Sequence, residues 1–324
     1  MNNLITIIMY HYVRDLKNSA YPNIKGLDIN LFVEQIKYLL RHYHIISMKE
    51  IIYKIRNKKP FNKKFACLTF DDGYSDHFKN VLPVLEKHNI SGAFYPPART
   101  IEKHEVLDVN KIHFILASQN ETAKIINEIK IEINKYKKKY RLLSFTEYYK
   151  KLAQNSRYDS ADVIFIKRLL QVELDKSLRK IIINSLFEKF VNRDEETFCK
   201  ELYMSSEELI YMANLGMHIG SHGYDHYWLA SIDENSQRND IFKSLQFLKK
   251  INGTLDDWTM CYPYGSYNGT TIKILKEQKC SIGLTTHVKV ANIDEDNHLT
   301  LPRLDTNDIP KNQHAKPNQW FKHG

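Results

Sequence analysis

Short apolar runs alternate along this chain with stretches whose apolar residues recur at helical spacing. Leu4–Met9, Phe65–Phe70, Gly92–Tyr95, Met217–Gly220, Trp258–Tyr262 and Ser281–Leu284 read as strands. Asn30–His42, Lys79–His88, Glu207–Asn214, Glu234–Ile251 and Thr271–Gln278 read as helices, the first with Leu31, Ile36, Leu39 and Leu40 assigned to one face. Asp72-Gly73, Asn252-Gly253 and Asn268-Gly269 supply turns between them. This alternation predicts an α/β fold. From Lys103 to Met204 the pattern changes: Gly and Pro are absent and the helical period runs throughout, in KIHFILA, AKIINEIKIEINKYKKKYRLL and VIFIKRLLQVELDKSLRKIIINSLFEKF. Segment 103–204 is therefore expected to form a helical insertion or cap within an α/β domain built from 1–102 and 205–324.

Composition narrows the class. The chain has 324 residues, 43% hydrophobic and 26% charged, which excludes disorder, collagen-like repeats and a disulfide scaffold. A net charge of +9 suits an anionic partner. The basic run Lys135–Arg141 could meet a phosphate or the surface of a membrane, although a solvated helix face is the better account of it. No recognised nucleic-acid module accompanies it, so nucleic acid is not expected as a partner. The N-terminus has no basic run before its apolar stretch, which stops at Tyr10 and His11, too short for a signal peptide or a span. Cys67, Cys199, Cys261 and Cys280 form no metal-ribbon spacing, and a reduced, cytoplasmic protein is expected.

Chemistry-capable residues collect where apolar runs end. CLTF ends in Asp71-Asp72-Gly73, MHIG leads to His222 and His226, TMCYPY reaches Tyr264, Leu4–Met9 ends in Tyr10-His11, and LTLP ends in Arg303. In sheets and barrels of parallel strands, that end carries the active site. Asp71 and Asp72 point in opposite directions on an extended backbone, so one can bind a cation while the other faces a substrate. The same residues also make a good turn. His222 and His226, placed at i and i+4 on a helical turn, face one side, and with one carboxylate they suit Zn²⁺ or a similar ion.

TFDDGY at 69–74, GSH-x-x-x-H at 220–226 and YPYG at 262–265, in that order, resemble the polysaccharide deacetylase family with the NodB-homology domain, carbohydrate esterase family 4. IIMYHYV, KYLLRHYHIISMKEI and LPRLDTND resemble a branch acting in lipopolysaccharide or capsule assembly. The resemblance covers roughly 1–100 and 205–310. It implies a distorted barrel of the (β/α)7 type. It further implies that Asp72, His222 and His226 ligate one divalent ion, zinc first with cobalt or manganese as alternatives. Asp71 would be the general base, and the backbone N–H of Tyr264 would bind the oxyanion. The implied reaction is removal of an N-acetyl group from an amino sugar, which in the cytoplasm would be nucleotide- or lipid-linked.

Three positions depart from the family pattern. Its usual Arg, which orients the catalytic Asp, is Cys261 here, and Arg303 is the candidate replacement. The Ser or Thr after the first metal histidine is Gly223. The Leu-x-His-Asp motif that supplies the general acid is absent, leaving His11 as first candidate, with His287 and His298 behind it. The alternatives are a catalytically degenerate glycan-binding protein, or a deformylase or ester deacetylase on the same scaffold.

Overall fold

A computed structural model describes residues 3–156 and 159–323, and the chain divides into two compact units. The first comprises Met1–Asp15, Gly26–Glu105 and Cys199–Gly324, and the second Leu16–Lys25 and Val106–Phe198. The helical unit thus begins and ends a few residues inside 103–204, and it also takes in 16–25, a stretch without a helical period.

The first unit is built on seven strands, β1 (Leu4–Tyr10), β2 (Phe65–Asp71), β3 (Ala93–Tyr95), β4 (His218–Ile219), β5 (Thr259–Cys261), β6 (Ile282–Leu284) and β7 (Leu304–Asp305). All run parallel around a closed circuit. β1 pairs with β2 from Ile5↔Phe65 to Tyr10↔Phe70, β2 with β3, and β3 with β4. The single bridge Ser221↔Met260 passes the circuit to β5 and β6, and Leu284↔Leu301 carries it on. β7 then closes back on β1 through Ile8↔Leu304. Two of the junctions are single bridges, which makes this a distorted barrel of the (β/α) type. The six strands read from the sequence are all present. The closing strand β7 was not read: Arg303 precedes it rather than ending a run, because His298–Thr300 is a 3-10 turn.

Strand periodicity sorts the core into two layers. Ile5, Ile7, Cys67, Ala93, Tyr95, Cys261 and Leu284 form one cluster. Ile8, Tyr10, Leu68, Phe70 and Phe94 join the other, with helix residues such as Phe32, Ile36 and Leu39. Both faces of β1 and β2 are buried, so their sequences are continuously apolar. In the helix Ile29–His42 the buried stripe is Phe32, Gln35, Ile36 and Leu39, whereas Leu31 and Leu40 are exposed. The expected face was misjudged there, because Leu31 and Leu40 flank the stripe that Phe32 begins. Asp28 caps this helix by accepting from the Asn30 N–H.

The second unit is helical, with Asp108–Ala117, Thr122–Tyr140, Phe145–Leu152, Ala161–Arg168 and Lys176–Phe190. The third amphipathic piece of the sequence is broken in two at Asp175, whose carboxylate caps a new helix by accepting from the N–H groups of Ser177 and Leu178. Within this unit Lys111 is buried, donating to Asn184 Oδ1 and Glu195 Oε2, each at 2.7 Å. Lys135 of the basic run pairs with Glu132, and Lys137, Lys138 and Lys139 occupy the exposed last turn of their helix, where cations complement its carbonyl end. Among the described residues no helix is long and apolar enough to cross a membrane, and all four cysteines are free thiols.

Candidate active site and metal centre

The site is assembled where strands of the barrel unit end. Asp71 closes β2 in phase with Cys67 and Thr69, so its side chain shares their face. There it meets Arg303, wholly buried, in a two-pronged ion pair: Nη1 to Oδ1 and Nη2 to Oδ2, both 2.8 Å. Arg303 is itself fixed, donating from Nη1 to Thr69 Oγ1 at 3.0 Å and from Nε to the Thr285 carbonyl at 2.9 Å. Burial alone would raise the Asp71 carboxyl; the guanidinium reverses this and holds it at about 2. The Cys261 thiol donates to Asp71 Oδ2 at 3.3 Å. The role vacated at Cys261 is thus met by an arginine 232 residues along the chain from Asp71.

One residue on, the chain turns. Asp72 has a left-handed backbone with φ 70°, followed by Gly73 at φ 67°. A Cβ at Gly73 would lie 2.7 Å from Pro96 Cβ and 2.9 Å from its Cα, so only glycine fits. The turn sends the Asp72 carboxylate away from Arg303 and towards the histidines. The turn reading and the site reading of Asp-Asp-Gly are both correct, for the turn aims the second carboxylate.

His222 and His226 do not lie on a helix. They flank an irregular loop in which Gly223 has φ 71° and His226 φ 57°. The loop replaces the helical turn because Asp240, on the helix Glu234–Asn252, accepts from the N–H groups of Tyr224 at 3.0 Å and Asp225 at 2.8 Å. A Cβ at Gly223 would come within 2.7 Å of the Asp240 carboxylate, which explains why this position is glycine. Burial raises the Asp240 carboxyl to about 6.

Both imidazole Nε2 atoms nevertheless converge on Asp72 Oδ1, each at 3.3 Å. Donor atoms of Asp72, His222 and His226 lie within 4.8 Å of one another, and all three residues are buried. His222 Nδ1 faces the Cys261 carbonyl at 2.7 Å, an acceptor, so this nitrogen carries a ring proton, and when the ring is neutral Nε2 presents its lone pair. A lone pair at 3.3 Å from a carboxylate oxygen calls for positive charge between them. Burial lowers the pKa of His222, but Cys261, Asp72 and Asp71 around it raise it well above its ordinary value. His226 is lowered by burial, and its Nδ1 is buried with no partner among the described residues. Tyr74 donates its hydroxyl to Asp72 Oδ2 at 2.5 Å, leaving Oδ1 for the histidine side. Two imidazoles and one carboxylate, with a carbonyl and a phenol behind them, fit a divalent cation with open positions.

The other candidates divide. His11 follows β1 and interacts electrostatically with Asp71, Asp72 and His226, and its carbonyl faces His77 Nε2 at 2.9 Å. Tyr264 has φ 57°, and its ring meets His226 edge-on at 4.6 Å. His298 instead faces the Ile293 carbonyl, and His287 is exposed near Asp296, so neither joins the group. Tyr74 and the Asp240 anchor went unread as functional residues. Tyr74 stood inside the TFDDGY motif, whereas Asp240 left no local signal because its partners lie 15 and 16 residues back.

The sequence profile of the family described as "Polysaccharide deacetylase" matches residues 58–140 and 188–282. YxkH of Bacillus subtilis (strain 168), provisionally named a polysaccharide deacetylase, is 26% identical over 106 residues, 32% of this chain and 36% of YxkH. The chain therefore matches only about a third of that relative's length. Among solved structures, the Streptococcus pyogenes deacetylase PplD in complex with acetate aligns over 98% of this chain and 100% of its own, with a TM-score of 0.59 at 17% identity. IcaB from Ammonifex degensii aligns over 99% and 95%, with a TM-score of 0.56 at 17% identity. These likenesses concern the fold.

Proposed function

The chain belongs to the polysaccharide deacetylase family, and on that premise we propose that it removes the N-acetyl group from an amino sugar of a bacterial surface polysaccharide, lipopolysaccharide O-antigen or capsule. The observation that carries this reading is an ionised, doubly ion-paired Asp71 next to the Asp72–His222–His226 donor set. The set is assigned one divalent ion, zinc first, with cobalt or manganese as alternatives.

When bound, such an ion supplies Lewis-acid polarisation of the amide carbonyl. The rest is assigned to the chain's own groups. Asp71 takes a proton from the attacking water as the carbonyl carbon becomes tetrahedral. Arg303 keeps that carboxylate ionised and aligned, the task left open at Cys261. The Tyr264 N–H donates to the oxyanion. His11 gives a proton to the amine nitrogen as the C–N bond breaks, releasing acetate and a free amino sugar. The left-handed backbone at Tyr264 and the electrostatic reach of His11 to Asp71 and Asp72 support these two assignments. Four free cysteines support a reducing, cytoplasmic setting, with a nucleotide- or lipid-linked sugar as substrate. A non-catalytic glycan-binding protein is favoured by Cys261 and by the missing general-acid motif; the Arg303–Asp71 pair weighs against the first of these.

The test is acetate release from N-acetylglucosamine oligosaccharides by protein supplied with Zn²⁺, Co²⁺ or Mn²⁺. Turnover that vanishes in Asp71→Asn while metal stays bound is the expected result. Retained turnover in that variant overturns the base assignment. Activity confined to formamides or acetate esters would move the chain to those chemistries on the same scaffold.

A further inference from the structure

Arg14 has no part in the proposed chemistry, yet its contacts lead to Asp72. Its guanidinium grips Asp76 twice, Nε donating to Oδ2 at 2.8 Å and Nη2 to Oδ1 at 3.0 Å, and lies 4.7 Å from the centre of the Tyr12 ring. Tyr12 stacks on Tyr74, with 3.9 Å between centroids and 20° between planes, and a hydrogen bond joins the two phenols. Tyr74 in turn donates to Asp72 Oδ2. That bond uses the one Tyr74 hydroxyl proton, so Tyr12 is the donor in the bond between phenols. Burial keeps both hydroxyls protonated at any working pH. Asp72 and Asp76 stand four residues apart in the segment after β2, so the contacts close a circuit: Asp76, Arg14, Tyr12, Tyr74, Asp72. Tyr12, Asp72, Tyr74 and Asp76 are all buried. The backbone beside Tyr12 is fixed as well: Asn80 Nδ2 donates to the Val13 carbonyl at 2.8 Å, and His77 Nε2 faces the His11 carbonyl at 2.9 Å. His77 and Asn80 belong to a π-helical turn, His77–Val81, a rare conformation that gathers at functional sites.

We propose that Tyr12 and Arg14 are positioning residues of the metal centre: the Arg14–Asp76 pair clamps Tyr12 against Tyr74, and Tyr74 so held fixes the Asp72 carboxylate with Oδ1 turned to the two histidines. This rests on the reading of Asp72, His222 and His226 as ligands of one ion. A carboxylate whose Oδ2 is bound to a phenol rotates only by breaking that bond, which holds Oδ1 ready before an ion arrives. The cation at the far end strengthens the effect. A guanidinium over the Tyr12 ring draws on its electrons and makes its hydroxyl a better donor, and each donor in a chain polarises the next. A buried ion pair contributes little to stability compared with apolar side chains of the same volume. Fixing a ligand from a distance is a task that apolar packing cannot perform. Segment 12–14 thereby acquires a role that the chemistry at Asp71 leaves unassigned.

The experiment uses the full chain and Zn²⁺ or Co²⁺ alone as probe. Zn²⁺ affinity is measured by competition with a chelator in wild type, in Tyr12→Phe and in the Arg14→Gln, Asp76→Asn double variant. The first keeps the stack and drops only a hydroxyl, so it still reports if the second does not fold. The double variant exchanges the ion pair for two neutral amides and strands no charge. Visible spectra of the Co²⁺-loaded proteins and unfolding midpoints of the metal-free ones are recorded beside it. Affinity about tenfold lower in each variant is expected, together with an altered Co²⁺ spectrum. Arg14→Lys, which keeps the charge, should lie between wild type and the double variant. Wild-type affinity and spectrum in both variants, with only the unfolding midpoint lowered, would make the circuit a fold staple and overturn the proposal. Failure of the metal-centre reading looks different: wild type itself takes up neither ion, and the proposal falls with it.

Discussion

Two buried ion pairs, one in each unit, show what separates a site from a staple. In the helical unit Lys111 is 2% exposed and fully used, with Asn184 and Glu195 as acceptors and the Phe187 ring 5.7 Å from its ammonium. In the barrel unit Arg303 is likewise held, by four hydrogen bonds to Asp71, Thr69 and Thr285. The difference lies with the acids. Glu195 is 37% exposed, and its other oxygen accepts from the Val106 N–H at 3.1 Å. Asp71 stands beside a second carboxylate and two imidazoles whose donor atoms all lie within 4.8 Å of one another. A buried pair is weak evidence of function by itself; a buried pair next to a convergent set of metal-ligating side chains is a stronger one.

That contrast can be broken at several points. The largest effect is expected from Arg303→Met. It strands a buried carboxylate, costs about 3–5 kcal/mol of stability, and raises the pKa of Asp71, so acetate release should fall off in mild acid where wild type still turns over. Chemical denaturation and a pH–rate profile measure both; an unchanged profile would deny Arg303 its role. Next comes Tyr74→Phe, which removes the donor from Asp72 Oδ2 and should weaken metal binding about 10–100-fold, read by competition with a chelator. Unchanged affinity would make the phenol a packing group. Lys111→Met should lower stability by about 1–2 kcal/mol, less than Arg303→Met because Glu195 reaches solvent, and leave kcat of the folded protein unaltered. A loss of kcat would show that the helical pair belongs to the site after all.

A last effect shows only in acid. His218 is buried against Thr259 Oγ1 at 2.7 Å, and burial lowers its pKa from 6.5 to about 4. The unfolded chain therefore binds this proton first. The stability it supports is complete above about pH 6.5 and is lost as pH falls towards 4. His218→Gln should flatten the fall of the unfolding midpoint over that window, and an unaltered slope would assign the acid sensitivity elsewhere.

How much of this was legible depended on range. Strands were readable because β1, β2 and their neighbours are buried on both faces, and a continuous apolar run is a local signal. Asp71, Asp72, His222 and His226 were readable because they sit in short motifs. Arg303 was readable only as a candidate: nothing local announces a partner 232 residues away. The conformation around His222 and His226 was misread as helical, because the side chain that holds the loop open belongs to Asp240. Spacing at i and i+4 predicted the right convergence for the wrong reason; positive φ at Gly223 and His226 achieves it. The helix face at Leu31 and Leu40 failed more simply, because apolar residues also occupy the margins of a buried stripe.

The central claim is that Asp72, His222 and His226 hold one divalent ion on which acetate release depends. It is tested most directly by counting metal per chain in purified wild type and in the His222→Ala, His226→Ala double variant, with acetate release measured on the same samples. The account predicts one ion per chain in wild type, and loss of both the ion and the activity in the variant. A wild-type protein that binds no ion after addition of Zn²⁺, Co²⁺ or Mn²⁺, or a double variant that keeps its turnover, would contradict it.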